Sequence, residues 1–275
     1  LHLGTGCGSN GKTRLMCILL AKAFGNYYYK MDAGNLTRKR PDPNAASPAL
    51  AALRGKRAVV CEEPDADGKL AIGFTKELTG GGELTARELH KPLITFKISH
   101  ITTLLCNDKP DLPSVDGGII RRISVFNYIS TFLKPSSDEF YKLKKPKKYP
   151  YYFKADSNGF DDKLRKLAPY LLTLLFENYK NLKKNGFKIS VPQSIINENT
   201  NYINEQNIYA SFKSKFMIRK NKAHSVNCIK AFEKFKEWCV DTNRPTRGID
   251  QRHFITNIEN LIKRKILKID GVDGC

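Results

Sequence analysis

The chain has 275 residues, with 47 Lys and Arg against 27 Asp and Glu, a formal net charge of +20. Such an excess favours a polyanionic partner, nucleic acid before anionic membrane, and otherwise means only a basic solvated surface. Its longest apolar run, Leu167–Phe176, is about half the ~20 residues that a membrane span needs, and its seven Cys form no C-x-x-C pair. Those features exclude a membrane-spanning protein, a disulfide scaffold and a cysteine zinc site.

The length allows more than one compact unit, and charge divides it unevenly. Residues 1–130 hold 18 Lys and Arg against 12 Asp and Glu, and residues 131–275 hold 29 against 15, so +14 of the +20 lies in the second part. No secretory signal is visible, and the scattered cysteines read as reduced thiols in an intracellular, reducing compartment. The chain opens on Leu1, already inside a strand-like segment, and reads as a piece of something longer.

In chain order, "LHL" reads as the end of a strand. "KTRLMCILLAKAFG" reads as a helix, apolar almost all round, stopped by Gly25 and covered on most sides. "YYYKM" is a short strand, "RKRPDPNAASP" a polar loop, "PALAALRG" a short helix and "KRAVVCEEPD" a buried strand ending in carboxylates. "FTKELTGGGELTARELHK" gives a helix, a glycine break and an extended arm, and "LITFKISHITTLLCND" and "RRISVFNY" supply further strands. Alternating strands and helices predict an α/β fold with a mostly parallel sheet over residues 1–130. Residues 131–160 read as a basic, Pro-containing linker. Residues 161–275 read as a mainly helical region, whose last helices, strand "KILKID" and turn "GVDG" suggest a winged-helix-like module.

The strongest chemical signal is G-x-x-x-x-G-K-T: Gly6, Cys7, Gly8, Ser9, Asn10, Gly11, Lys12 and Thr13, with Arg14 next. Glycines let backbone N–H groups close around phosphates, Lys12 supplies a cation for the β- and γ-phosphates, and Thr13 a hydroxyl for Mg2+. "AVVCEE" ends on Glu62 and Glu63, one carboxylate to serve the metal and one to orient an attacking water. Adjacent strand residues face apart, so the chain must twist as it leaves the sheet. "TTLLCN" places Asn107 at another strand end, where an amide can act as a sensor of the γ-phosphate. Arg121 and Arg122 enter a further strand, as a solvated edge or as a finger completing a neighbouring subunit's site.

This order of motifs resembles superfamily 3 helicases, the hexameric AAA+ motors of DNA viruses, and most of all the branch found in poxvirus-type and other large-DNA-virus primase–helicases. "ALRGKRAVVCEEPD", "KELTGGGELTARELHK" and "LLCNDKPDLPSVDGGIIRRISVFNY" carry the resemblance. It implies an ATP- and Mg2+-dependent hydrolase that forms a homo-hexamer, translocates on single-stranded DNA at a replication fork and works with a primase domain or other replication proteins. By position it assigns the metal to Thr13 and Glu62, the water to Glu63, the sensor to Asn107, the finger to Arg122 with Arg121 in support, and a DNA-contacting hairpin to Arg87, His90 and Lys91. A loader, remodeller or packaging ATPase, and a replication-initiator DNA-binding protein, are the alternatives.

Overall fold

The computed structural model describes the chain apart from residues 43, 65–67, 114, 157–158, 218–226, 243, 245, 247–248, 263–267, 270–271 and 274–275. It contains the strands β1 (His2–Thr5), β2 (Tyr28–Lys30), β3 (Ala58–Glu62), β4 (Glu83–Arg87), β5 (Leu93–Lys97), β6 (Ile101–Leu105) and β7 (Ser124–Asn127). Five of these form one sheet in the order β2-β3-β6-β1-β7. Every neighbouring pair in it is parallel, as the alternation of elements predicts. β3 reads Ala-Val-Val-Cys because it is central: Val59, Val60 and Cys61 are wholly buried, the pattern of a strand covered on both faces. The register sets Gly4 against Leu105 and Glu62 against Leu105, so the ends of β1, β3 and β6 emerge together along one edge.

The helix after β1 differs from expectation. It is π-wound over Arg14–Leu19 and α-helical over Leu20–Phe24, ending at Gly25 with φ +51. None of its residues is fully buried, and Leu15 is 40% exposed. The sheet and the helix Ala168–Lys184 cover it in part only, so its apolar sequence exceeds its burial. The apolar run of residues 167–176 enters Ala168–Lys184. Among the described residues no helix is long and apolar enough to cross a membrane.

Between the helix Ile72–Leu78 and β6, β4 and β5 pair antiparallel as a hairpin. Its base sits at the N-terminal edge of the sheet, where Ile98 N–H donates to Gly82 O at 2.9 Å and Ile101 N–H to Arg57 O at 3.0 Å. Beyond β7, β8 (Thr131–Leu133) and β9 (Tyr152–Lys154) pair parallel, with a 3-10 helix Asp138–Lys144 between them. Tyr141, Tyr149 and Tyr152 stack edge-on in that segment under the Lys142 and Lys145 ammonium groups.

The chain divides into two compact units, Leu1–Asn199 and Thr200–Cys275. The second packs the helices Ile208–Phe216, Cys228–Asp241 and Gln251–Ile262 around Phe212, Phe235, Trp238, Phe254 and Ile258. The period of Cys228, Phe232, Phe235 and Cys239 in the sequence puts them on one helix face, and there Cys228, Phe235 and Cys239 are fully buried with Phe232 partly buried beside them. Lys268–Ile269 and Val272–Asp273 pair antiparallel after them; the rest of the "GVDG" turn lies outside the described residues. Cys7, Cys17, Cys61, Cys106 and Cys239 are free.

Candidate nucleotide-binding site

After Thr5 the chain turns from Gly6 to Thr13 before the first helix. Only glycine serves at Gly6: its φ is +134, and a Cβ would meet the Tyr128 carbonyl oxygen at 2.6 Å and the Asn10 amide at 2.7 Å. Ser9 and Gly11 are left-handed as well, at φ +59 and +83. Buried Asn10 shapes the loop from within, its Oδ1 accepting from Lys12 N–H at 3.2 Å while its Nδ2 donates to Tyr128 O at 3.4 Å. Cys7, Gly8, Ser9, Thr13 and Arg14 stay on the exposed side. Arg14 also pairs with Asp161 at 3.0 Å.

Lys12 is only 6% exposed. Its Nζ donates to Gly6 O at 3.1 Å and to Asn107 Oδ1 at 2.7 Å. Both acceptors are neutral, so no carboxylate among the described residues compensates the buried ammonium, which favours an anion at the loop. Asn107 reaches it because β6 lies beside β1 and ends at the same edge.

Glu62 ends β3. Burial pushes its carboxyl up, but hydrogen bonds from Lys30, Thr13 and Cys17 outweigh it and hold the group below its ordinary value. The Lys30 contact is an ion pair. Thr13 thus acts on the Glu62 carboxylate as one of the groups that hold it ionised. Two hard oxygen donors suit Mg2+, which typically takes one or two protein oxygens and shares phosphate oxygens for the rest. Among the described residues, no three or more His, Cys, Asp or Glu stand together as a candidate metal cluster. The twist predicted after Glu62 occurs at Glu63, whose φ is +45 and whose N–H donates to Leu105 O at 2.8 Å. Both acids therefore border one cleft of about 410 Å3, with Lys30, Asp32 and Arg38. Glu63 also borders a second of about 460 Å3, with Asn107, Lys69 and Lys109.

The remaining predicted residues lie elsewhere. Arg121 and Arg122 follow the short helix Gly117–Ile120 and precede β7. Arg122 Nη1 donates to Gly118 O at 2.8 Å, and its carbonyl accepts from the Leu1 N-terminus, so it sits at the start of β1, not its end. At a strand rise of ~3.3 Å per residue, roughly 13 Å of β1 separates it from the loop. The hairpin tip is exposed: His90 has φ +57, Lys91 pairs with Glu88, and Leu89 is 61% exposed. Arg87 lies below the tip, its Nε buried without a partner among the described residues. Sequence reasoning missed Lys30, the partner of Glu62, and Tyr128 and Phe132, whose backbone carbonyl and N–H respectively bond to the loop. A lone lysine closing an aromatic strand was the one available signal.

A glycine-bent loop between a central parallel strand and a helix, with a buried lysine and a strand-end acid beside it, defines a P-loop-like α/β core. The chain is a relative of the helicase and primase–helicase proteins of large DNA viruses. It is 33% identical over 254 residues to a protein named "putative helicase" in Acanthamoeba polyphaga mimivirus, covering 91% of this chain and 26% of that one. A "putative helicase" of frog virus 3 is 29% identical over 88% of this chain and 24% of its own. A "putative primase" of African swine fever virus is 25% identical over 98% of this chain and 27% of its own. The chain thus spans about a quarter of the length of these relatives. In fold it is similar to the apo structure of the NrS-1 C-terminal region, with a TM-score of 0.50 and 13% identity, covering 99% of this chain and 65% of that one. No protein-family model matches the chain.

Proposed function

We propose that the chain is the motor segment of a superfamily 3 DNA helicase of viral replication, hydrolysing ATP at subunit interfaces to move along single-stranded DNA. The observation that carries this reading is the meeting of Lys12 with Asn107 beside the Thr13–Glu62 pair. Residues 95 positions apart in sequence gather there around one anion-seeking cation. Lys12 and the loop N–H groups hold the triphosphate. Thr13 and Glu62 would hold Mg2+, which would supply positive charge to neutralise the phosphates. Glu63 orients the attacking water by accepting its hydrogen bond, and Asn107 contacts the γ-phosphate through its amide, coupling it to Lys12.

Arg122 lies at the opposite edge of the sheet, which suits a cation supplied to the neighbouring copy's nucleotide in a head-to-tail hexamer. The exposed hairpin tip, with His90 and Lys91, suits contact with a DNA phosphate. ATP turnover by the purified chain, with and without single-stranded DNA and with Lys12→Ala as blank, tests the reading. We expect hydrolysis that DNA stimulates and the substitution abolishes. Turnover indifferent to DNA would favour a remodeller or loader.

A further inference from the structure

Two phenylalanines stand exposed beside the phosphate loop. Phe132 and Phe153 are register partners across β8 and β9. Their ring centroids are 5.7 Å apart, yet they remain 39% and 45% exposed. Strand alternation turns the neighbouring Leu133 the other way, where it is buried. The rings are joined to the loop itself: Phe132 N–H donates to Ser9 O at 2.8 Å, and its ring lies 3.4 Å from where a Cβ on Gly11 would stand. Loop and rings form one continuous surface, anion-binding at one end and aromatic at the other.

We infer that Phe132 and Phe153 form the platform on which the base of the bound nucleotide stacks, an inference that rests on the nucleotide reading above. A nucleotide has the same two-ended chemistry, a polyanion joined to a flat π-face. Bases stack on aromatic side chains whatever their hydrogen-bonding edge. The buried Lys12 serves the anion, and the exposed rings next to Ser9 and Gly11 serve the base. The fixed link between Phe132 and Ser9 keeps the platform in register with the phosphate site. Two apolar rings left in water beside a ligand loop gain their burial when the base covers them.

The test compares two ligands by calorimetry on the full chain with Mg2+: ATP, and inorganic tripolyphosphate, which has the anionic chain and no base. Phe132→Ala should weaken ATP by roughly tenfold or more while leaving tripolyphosphate affinity unchanged, and Phe132→Trp should restore ATP. Lys12→Ala should weaken both ligands. Equal loss of both in Phe132→Ala would make the ring a brace for the loop and overturn the inference. Unchanged ATP affinity would overturn it too, and a changed oligomeric state beside it would assign the rings to a subunit contact. A wild-type chain that binds neither ligand refutes the nucleotide reading itself, and the platform with it.

Discussion

Asn107 offers a test in which stability and ligand binding should move in opposite directions. Its Oδ1 accepts from Lys12 Nζ at 2.7 Å, a hydrogen bond to a charged donor, worth about 1.5–3 kcal/mol. Asn107→Ala removes that acceptor, so the Tm of the first unit should fall by about 3–12 °C at ~2–4 °C per kcal/mol for a unit of this size. Asn107→Asp keeps the shape and adds a negative charge. Unit charges ~4 Å apart at an effective dielectric of ~20 attract by about 4 kcal/mol. Desolvation of the new carboxylate returns part of this, leaving about 1–2 kcal/mol of stabilisation and a Tm raised by about 2–8 °C. The same carboxylate repels a phosphate at that distance by a similar amount. ATP affinity should therefore drop by about 100-fold or more. Differential scanning calorimetry and ATP titration of the two variants measure both quantities. If Asn107→Asp lowers Tm as Asn107→Ala does, Lys12 carries no uncompensated charge and the reasoning is wrong.

Three further outcomes are expected. Arg122→Ala should abolish hydrolysis while ATP still binds, and mixing it with Lys12→Ala chains should recover turnover; no recovery would refute a shared site. His100 is buried with neither ring nitrogen hydrogen-bonded among the described residues, and burial pushes its pKa down from 6.5 to about 4. Its contribution is therefore full above pH 6.5 and is lost as pH falls toward 4, on the order of 3 kcal/mol in all. Urea melts across that range should show the slope, and His100→Leu should flatten it. Phe235→Ala empties a fully buried site whose ring lies 4.9 Å from Phe254, at a cost of about 3–5 kcal/mol. Trp238, the chain's single Trp, lies in that core, so its fluorescence should report the loss in the second unit; an unshifted melt would contradict the packing.

Local chemistry was legible because it needs only local freedom. Gly6 must be glycine for backbone reasons that spacing reveals, and Pro64 after two acids already signals the bend made at Glu63. The parallel sheet followed from the alternation of elements, and the apolar face of Cys228–Asp241 from its helical period. Non-local packing was not legible. Lys30 meets Glu62 because β2 and β3 are neighbours, an adjacency that no spacing encodes. Residues 131–160 read as a linker because Lys and Pro dominate them, while a three-residue strand such as β8 carries almost no periodic signal. The first helix read as covered because composition counts apolar residues, whereas burial depends on what packs against them.

The sheet separates the functional candidates in a way that bears on assembly. The loop, Glu62, Glu63 and Asn107 emerge where the strands end, while Arg122 and the base of the hairpin lie where they begin. Arg122 is also held by Gly118 within its own turn, so the length of β1 keeps it from its own chain's glycine-bent loop. Its proposed charge-stabilising role then requires a copy that presents its N-terminal edge to the next copy's C-terminal edge. That contact is heterologous, and repeated with closure it makes a ring. The hairpin leaves from the same edge as Arg122. A shift of the arginine on contact with a neighbour's nucleotide would therefore act at the base of the element proposed to grip DNA, without passing through the sheet.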